Sequence, residues 1–437
     1  MFYRNIISKL EHWKDKETKK AFILQGARQT GKTFIINWFC KENFESFVSV
    51  NLLTNKLARE ILLKCENIED IIIAFSVIFA NKLIKGKTVI FLDEVQNVPE
   101  IITFIKELVI DGSYKYILCG SLLGLTLRQV ESVPVGYAEL HTLYPFSFEE
   151  FLLANNVSLE IITETKNRLK AEKPLPESIY KVYNKYFQQF LIIGGMPSVI
   201  EKFIEQKDYE EVFLEQQYII ALYKEDFTKY ELLQKKLQIQ RLYSNIPSQL
   251  KKEYNRFTVK ELSEKTRFEQ IESSIDWLTT AGCAYKINLI NDLIDGIKQS
   301  EREAFKLYLS DIGLLLCQYG KATRNKIIAE DTNFNFGYVY ENFACVELIQ
   351  RQYNLFYYNS KKHGEVDFIY EDKNLNSVVP IEIKSGTDYK KHHSLNYVLS
   401  TYNNIKTAYV FANCNIERID KILYLPIFMI SFLAINE

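Results

Sequence analysis

The residues with the clearest chemistry are Gly26-Ala27-Arg28-Gln29-Thr30-Gly31-Lys32-Thr33, set between an apolar run at 21–24 and a helical run at 34–40. Glycine at both ends lets the N–H groups of the loop converge on phosphate oxygens. The dipole of a helix starting near Lys32 adds positive potential at the same point. Lys32 would then reach the β- and γ-phosphates of ATP, and the Thr33 hydroxyl would meet Mg2+. A second motif belongs with the loop: the apolar run at 88–92 ends in Asp93-Glu94, 61 residues beyond Lys32. Asp93 at a strand's carboxyl end is placed to hold Mg2+ through water, and Glu94 to polarise an attacking water. A further strand, at 116–119, delivers Ser121 to the same edge, where it either contacts the γ-phosphate or its water or caps the helix at 122–130.

A second group of chemical residues lies near the other end. In Val379-Pro-Ile-Glu-Ile-Lys384, strand alternation puts Ile381 and Ile383 on one face and Glu382 and Lys384 on the other. Asp367, fifteen positions before Glu382, sits on an earlier strand at 365–370. If the strands are neighbours, two carboxylates and an ammonium converge. Asp367 and Glu382 then bind Mg2+, and Lys384 orients water or offsets charge on a scissile phosphate. Glu341, on a helix at 340–352, adds a candidate ligand.

The elements that position these groups follow from the pattern of the chain. With 437 residues it is too long for one core and divides into several domains. A composition of 47% hydrophobic and 25% charged residues is that of an ordinary globular protein, and a formal net charge of −1 excludes a globally basic nucleic-acid binder. Seven scattered cysteines with no C-x-x-C spacing read as reduced thiols of a cytoplasmic protein. Neither apolar run, at 71–80 or 422–435, reaches the length of a membrane span, and no signal-peptide core is visible at the first residues. Five strands at 21–25, 47–52, 88–92, 116–119 and 137–143 alternate with helices, which is an α/β pattern.

The order of these motifs, followed by Tyr144-Pro-Phe-Ser-Phe-Glu-Glu-Phe-Leu, resembles the prokaryotic AAA-type ATPases that carry a poorly characterised C-terminal domain. The likeness continues through Gly194-Gly195-Met196-Pro197, Ile246-Pro-Ser-Gln-Leu250, Phe305-Lys-Leu-Tyr-Leu-Ser-Asp-Ile-Gly313 and Tyr340-Glu-Asn342. The resemblance implies an AAA-type P-loop core at 1–155 and a helical lid at 156–240. Where many relatives have an arginine after the glycine that opens the fifth strand, Tyr137 follows Gly136. Arg128 is then the candidate arginine finger, or a helix-terminal arginine complementing the dipole.

Residues 241–320 resemble a winged helix, with capping boxes at Thr258-x-x-Glu261 and Thr266-x-x-Glu269, then strands at 284–289 and 304–309 around a turn at 291–296. Seven basic residues (Arg241, Lys251, Lys252, Arg256, Lys260, Lys265, Arg267) against three acidic (Glu253, Glu261, Glu264) suit DNA phosphates. Glu269, Glu272 and Asp276 on the second helix suit a protein partner instead. The placement of Asp367 and Glu382-x-Lys384 resembles the PD-(D/E)XK nuclease superfamily, which implies a restriction-endonuclease-like α/β domain at 325–437. The whole reads as an ATP- and Mg2+-dependent ATPase with a nuclease-like domain that acts on DNA, or as an ATP-driven switch whose nuclease-like domain only binds DNA or a protein. An oligomer is compatible with either.

Overall fold

A computed structural model describes residues 1–16, 19–127, 136–227, 233–252, 257, 268–293, 298–299, 304–329, 335–372 and 377–436. They pack as two units, mainly Tyr3–Tyr144 with Thr280–Gly282, and Pro145–Thr279 with Cys283–Glu437.

In the first unit, α1 (Ile6–Asp15), β1 (Ala21–Gln25), α2 (Lys32–Asn43), β2 (Ser46–Asn51), α3 (Lys56–Leu62), α4 (Ile68–Phe79), β3 (Thr88–Asp93), α5 (Glu100–Thr103), α6 (Ile105–Asp111), β4 (Lys115–Gly120), α7 (Leu123–Leu127) and β5 (Ala138–Thr142) follow in order. The strands form one sheet in the order β2-β3-β4-β1-β5, and every pairing is parallel. A parallel sheet needs cover on both faces, so its central strands carry no polar alternation. Phe22, Leu24, Val89 and Phe91 face a core shared with Ile7, Leu10, Trp13, Ile36 and Phe39 of α1 and α2. Ile23, Ile90 and Leu92 face the opposite core, with Phe75, Ile101, Ile105 and Leu108 of α4 to α6. β1 lies between β4 and β5, so β1, β3 and β4 all deliver their carboxyl ends to one edge.

The second unit opens with helices α8 (Phe148–Ala154), α9 (Leu159–Lys170), α10 (Glu177–Ile193), α11 (Pro197–Gln206), α12 (Tyr209–Asp226), α13 (Leu233–Leu250) and α14 (Phe268–Thr280). Ser147 starts α8 with a reciprocal capping box to Glu150, and Pro197 takes the first position of α11, where its missing N–H costs nothing. Then come β6 (Ala284–Asp292), β7 (Lys298–Gln299), β8 (Phe305–Leu309), α15 (Ile312–Tyr319), α16 (Lys321–Ile328), α17 (Gly337–Gln350), β9 (Phe356–Ser360), β10 (Gly364–Asp372), β11 (Ser377–Ile383), α18 (His393–Thr401), β12 (Ala408–Ala412), β13 (Glu417–Ile419) and β14 (Ile422–Pro426). The abundant aromatics find their place here. Phe148, Phe187, Phe190, Phe343 and Phe428 form one packed cluster, with Phe187 and Phe343 meeting edge-on at 4.9 Å between ring centres.

The strands of this unit form one nine-stranded sheet in the order β13-β14-β12-β11-β10-β9-β6-β7, with β8 also on β6. The strands expected as a wing form as β6 and β8, antiparallel from Ala284 opposite Leu309 to Asn288 opposite Phe305. They do not stand as a separate sheet, because β6 pairs in parallel with β9. All five β8 residues are buried, and a two-stranded ribbon cannot bury both faces of a strand by itself. Thr258 and Thr266 of the capping boxes and residues 294–296 of the expected turn at 291–296 lie outside the described residues.

Three of the segments that carried the resemblance interlock in this unit. Asp311, at the N-cap of α15, accepts from the Leu314 N–H through Oδ1 at 2.8 Å and from the Gly195 N–H through Oδ2 at 2.6 Å. A Cβ on Gly313 would stand 2.4 Å from the Ile193 carbonyl oxygen, so the Asp-Ile-Gly and Gly-Gly segments touch through backbone. Asn342 of α17 holds the end of β8 at both groups, accepting from the Leu309 N–H at 2.9 Å and donating to its carbonyl at 3.0 Å. Burial raises the Asp311 carboxyl to about 6.

Asp311→Ala is therefore expected to destabilise the chain by about 2–4 kcal/mol at neutral pH in urea unfolding, from a lost cap and a buried N–H left without acceptor. A raised folded-state value for an acid means that its linkage contribution is full below about pH 4 and lost as pH rises through about 6. The gap between wild type and variant should be wider at pH 4 than at pH 7.

Candidate functional site

Two clusters of chemical groups are formed, one in each unit. In the first, the chain turns at Gly26 (φ +150°), Gln29 (φ 64°) and Gly31 (φ 90°) before α2 begins at Lys32. Only glycine fits position 26, since a Cβ there would lie 2.2 Å from the Leu143 carbonyl oxygen. The Lys32 ammonium is buried under the loop and donates to the carbonyls of Gly26 at 2.9 Å and Ala27 at 2.7 Å. Burial pulls its pKa down, while Cys119, Glu94 and Asp93 pull it back up. Thr30 is fully buried, and its hydroxyl closes the loop onto the Ala27 carbonyl at 2.9 Å.

The Thr33 hydroxyl donates to Asp93 Oδ2 at 2.9 Å, so the two expected Mg2+ ligands meet. Asn51 Nδ2 donates to the same oxygen at 2.8 Å, and Oδ1 is held by the Glu94 N–H at 3.0 Å and Cys119 Sγ at 3.1 Å. Glu94 takes a left-handed backbone conformation (φ 54°) at the end of β3. Its Oε2 accepts from the Gln96 amide and from the Ser121 hydroxyl, the latter at 3.4 Å. An oxygen-only donor set at the mouth of a parallel sheet fits a hard divalent cation.

Sequence reasoning missed four supports of this site: Asn51, Gln96, Cys119 and Arg4. The buried Arg4 guanidinium donates to the Thr30 carbonyl at 3.2 Å and to the Tyr144 carbonyl at 2.6 Å, tying the loop to the chain after β5. An asparagine ending β2 beside the aspartate that ends β3 was the one available signal. Arg128 lies outside the described residues.

In the second unit, the antiparallel register of β10 and β11 reaches Phe368 opposite Ile381, and the next residues, Asp367 and Glu382, lie close enough to repel. The Ile383 N–H donates to Asp367 Oδ2 at 2.7 Å, and the Lys384 ammonium lies 2.7 Å from Glu382 Oε1. Glu382 is only 5% exposed, and its Oε2 has no hydrogen-bond partner among the described residues. Burial, then repulsion from Glu382 and Glu341, raises the Asp367 carboxyl well above its ordinary range. Burial raises Glu382 as well, with Lys384 opposing. Burial works against the Lys384 charge, but Glu382 and Asp367 outweigh it and leave its pKa raised.

Carboxylate oxygens of Glu341, Glu365 and Asp367 come within 4.8 Å of one another. Glu341 does join the cluster, and its Oε1 accepts from the Lys306 ammonium at 2.7 Å and from the Tyr308 hydroxyl. Lys306 and Tyr308 were not singled out from sequence, yet a lysine in a strand buried at every position requires an anionic partner. A crowded, partly buried set of oxygen donors with one unsatisfied carboxylate oxygen on the buried Glu382 fits a divalent cation.

Of the basic residues counted toward a DNA face, Arg256, Lys260, Lys265 and Arg267 lie outside the described residues, as do the acidic Glu253, Glu261 and Glu264. Lys251 sits over the Tyr319 ring at 4.4 Å. Among the described residues no helix is long and apolar enough to cross a membrane.

A sequence-family model for an AAA domain matches residues 18–152. Two models for domains of unknown function, DUF8612 and DUF4143, match residues 184–325 and 336–428. The uncharacterized protein MJ1637 of Methanocaldococcus jannaschii is 25% identical over 209 residues, 46% of this chain and 42% of the relative, so the match spans less than half of that protein. The Walker-type ATPase paby2304 of Pyrococcus abyssi is similar in structure with a TM-score of 0.44 and 14% identity, covering 73% of this chain and 96% of that one. The Orc1 protein of Aeropyrum pernix, solved in complex with DNA, gives a TM-score of 0.33 and 11% identity over 75% and 93% of the two chains. The matched AAA domain contains the phosphate-binding loop and Asp93-Glu94, so the chain carries a P-loop ATPase domain over those residues.

Proposed function

We propose that this chain is a Mg2+-dependent ATPase whose turnover controls a PD-(D/E)XK-like nuclease domain acting on DNA. The observation that carries the nuclease half is the buried Glu382 Oε2 without a partner, beside Asp367 and Lys384. At the first site Lys32 exchanges its two loop carbonyls for the β- and γ-phosphate oxygens of ATP, in the cradle of Gly26 to Thr33. Glu94, steadied by Gln96 and Ser121, takes the proton of the attacking water. Mg2+ held by Thr33 and Asp93 would neutralise developing phosphate charge.

At the second site Asp367 and Glu382 would hold a divalent cation, which supplies Lewis acidity toward a phosphodiester. Lys384 orients water and offsets negative charge there. A rival reading, an ATP-driven switch whose C-terminal domain only grips DNA or a protein partner, is favoured by Lys306, which already neutralises part of the acidic cluster.

The deciding experiment incubates linear and circular DNA with the chain and Mg2+, with and without ATP. Cleavage supports the nuclease, and its dependence on ATP supports the coupling. Intact DNA beside steady ATP turnover rejects the nuclease in favour of the switch.

A further inference from the structure

The acidic cluster of the second unit holds four carboxyl groups, Glu341, Glu365, Asp367 and Glu382, against two ammonium groups, Lys306 and Lys384. The two halves of the cluster are satisfied differently. Lys306, fully buried on β8, lies 2.7 Å from Glu341 Oε1 and 2.5 Å from Glu365 Oε1. Tyr308 donates to the same Glu341 oxygen, and Asn359 donates to Glu365 Oε2 at 2.9 Å. On the other half, Glu382 Oε2 is buried without a partner among the described residues.

We infer that Lys306 is a chain-borne cation that fills the Glu341–Glu365 half of this cluster, so that the site takes a single divalent cation, at Asp367 and Glu382. The inference rests on the divalent-cation reading of the cluster given above. A fixed ammonium touching two carboxylates screens them as a second metal ion would, and the two carboxylates in excess of the ammonium groups, ionised on binding, are what one divalent ion neutralises. Lys306 comes from β8, ahead of the 336–428 segment that carries Glu341, Asp367 and Glu382. The strand preceding that segment thereby sets how many ions the segment binds. Lys306 is a positioning residue in this arrangement, because it fixes Glu341 and Glu365 and leaves the substrate to other groups.

Removing the ammonium unmasks a second ion site, made of the Glu341, Glu365 and Asp367 oxygens that already lie within 4.8 Å of one another. The test counts Mn2+ ions bound to the nucleotide-free full chain by titration calorimetry, taking as cluster ions those lost in Asp367→Asn. Wild type is expected to bind a single cluster ion, Glu341→Gln to keep it, and Lys306→Met to bind a second. Two cluster ions in wild type overturn the inference. So does loss of the ion in a folded Glu341→Gln chain, or a folded Lys306→Met chain that still takes only one. If Lys306→Met does not fold, the Glu341→Gln result decides. No cluster ion in wild type overturns the divalent-cation reading itself, and this inference with it.

Discussion

Lys32→Ala lowers ATP turnover by about 10²–10³-fold or more, as expected for loss of a preorganised cation at the transferring phosphate. The side chain is placed for this before any phosphate arrives. Its ammonium is held by the Gly26 and Ala27 carbonyls, within the loop whose N–H groups form the rest of the cradle. Burial lowers its pKa, so exchanging carbonyl dipoles for phosphate charge is favourable at that position. Glu94→Gln should lower turnover by about 10²–10⁴-fold, because it removes the proton acceptor. It should leave nucleotide affinity close to wild type, since the hydrogen bonds of the Glu94 carboxylate run to Gln96 and Ser121, outside the loop. Parallel turnover assays and nucleotide-binding titrations check the pair. Unchanged turnover in Lys32→Ala would remove hydrolysis from this loop, and equal loss of binding in both variants would remove the division of roles.

The first site was legible because its chemistry is local. Eight consecutive residues make the loop, and Asp93 and Glu94 are adjacent at the end of the buried apolar run at 89–92. The central strands β1, β3 and β4 are buried on both faces and read as apolar runs, and all five strands of the first sheet were found to within a residue or two at each end. Arg4 was not legible, since its contacts with Thr30 and Tyr144 span 26 and 140 residues and no spacing encodes them. Cys119 looked like any buried thiol until Asp93 Oδ1 was found 3.1 Å away.

The same limit explains the second unit. Asp367, Glu382 and Lys384 were placed by alternation and by one antiparallel pairing, which are local matters. Lys306 was not, because β8 joins the sheet through β6 and its parallel pairing with β9, a connection across more than one sequence segment. The motif around Asp311 was recognised as a likeness only. Its physical content is tertiary: one carboxylate caps α15 and at the same time holds the Gly195 N–H, 116 residues away in sequence.

On the proposed nuclease reading, Asp367→Asn is expected to lower DNA cleavage by at least about 10³-fold. The substitution keeps the shape and still offers a carbonyl oxygen to the Ile383 N–H, so the β10–β11 register survives. It also relieves repulsion with Glu382, the charged neighbour that most raises the Asp367 pKa. Folding stability should therefore hold or rise while cleavage disappears, a combination that a merely structural aspartate cannot produce. ATP turnover is the internal control, since Asp367 belongs to the second unit and the phosphate-binding loop to the first. Cleavage of linear DNA, urea unfolding and ATP turnover measured on one preparation separate the cases. Cleavage retained in Asp367→Asn would place any nuclease chemistry elsewhere. Cleavage and stability lost together would make Asp367 a structural residue and leave the C-terminal domain as the binding arm of a switch.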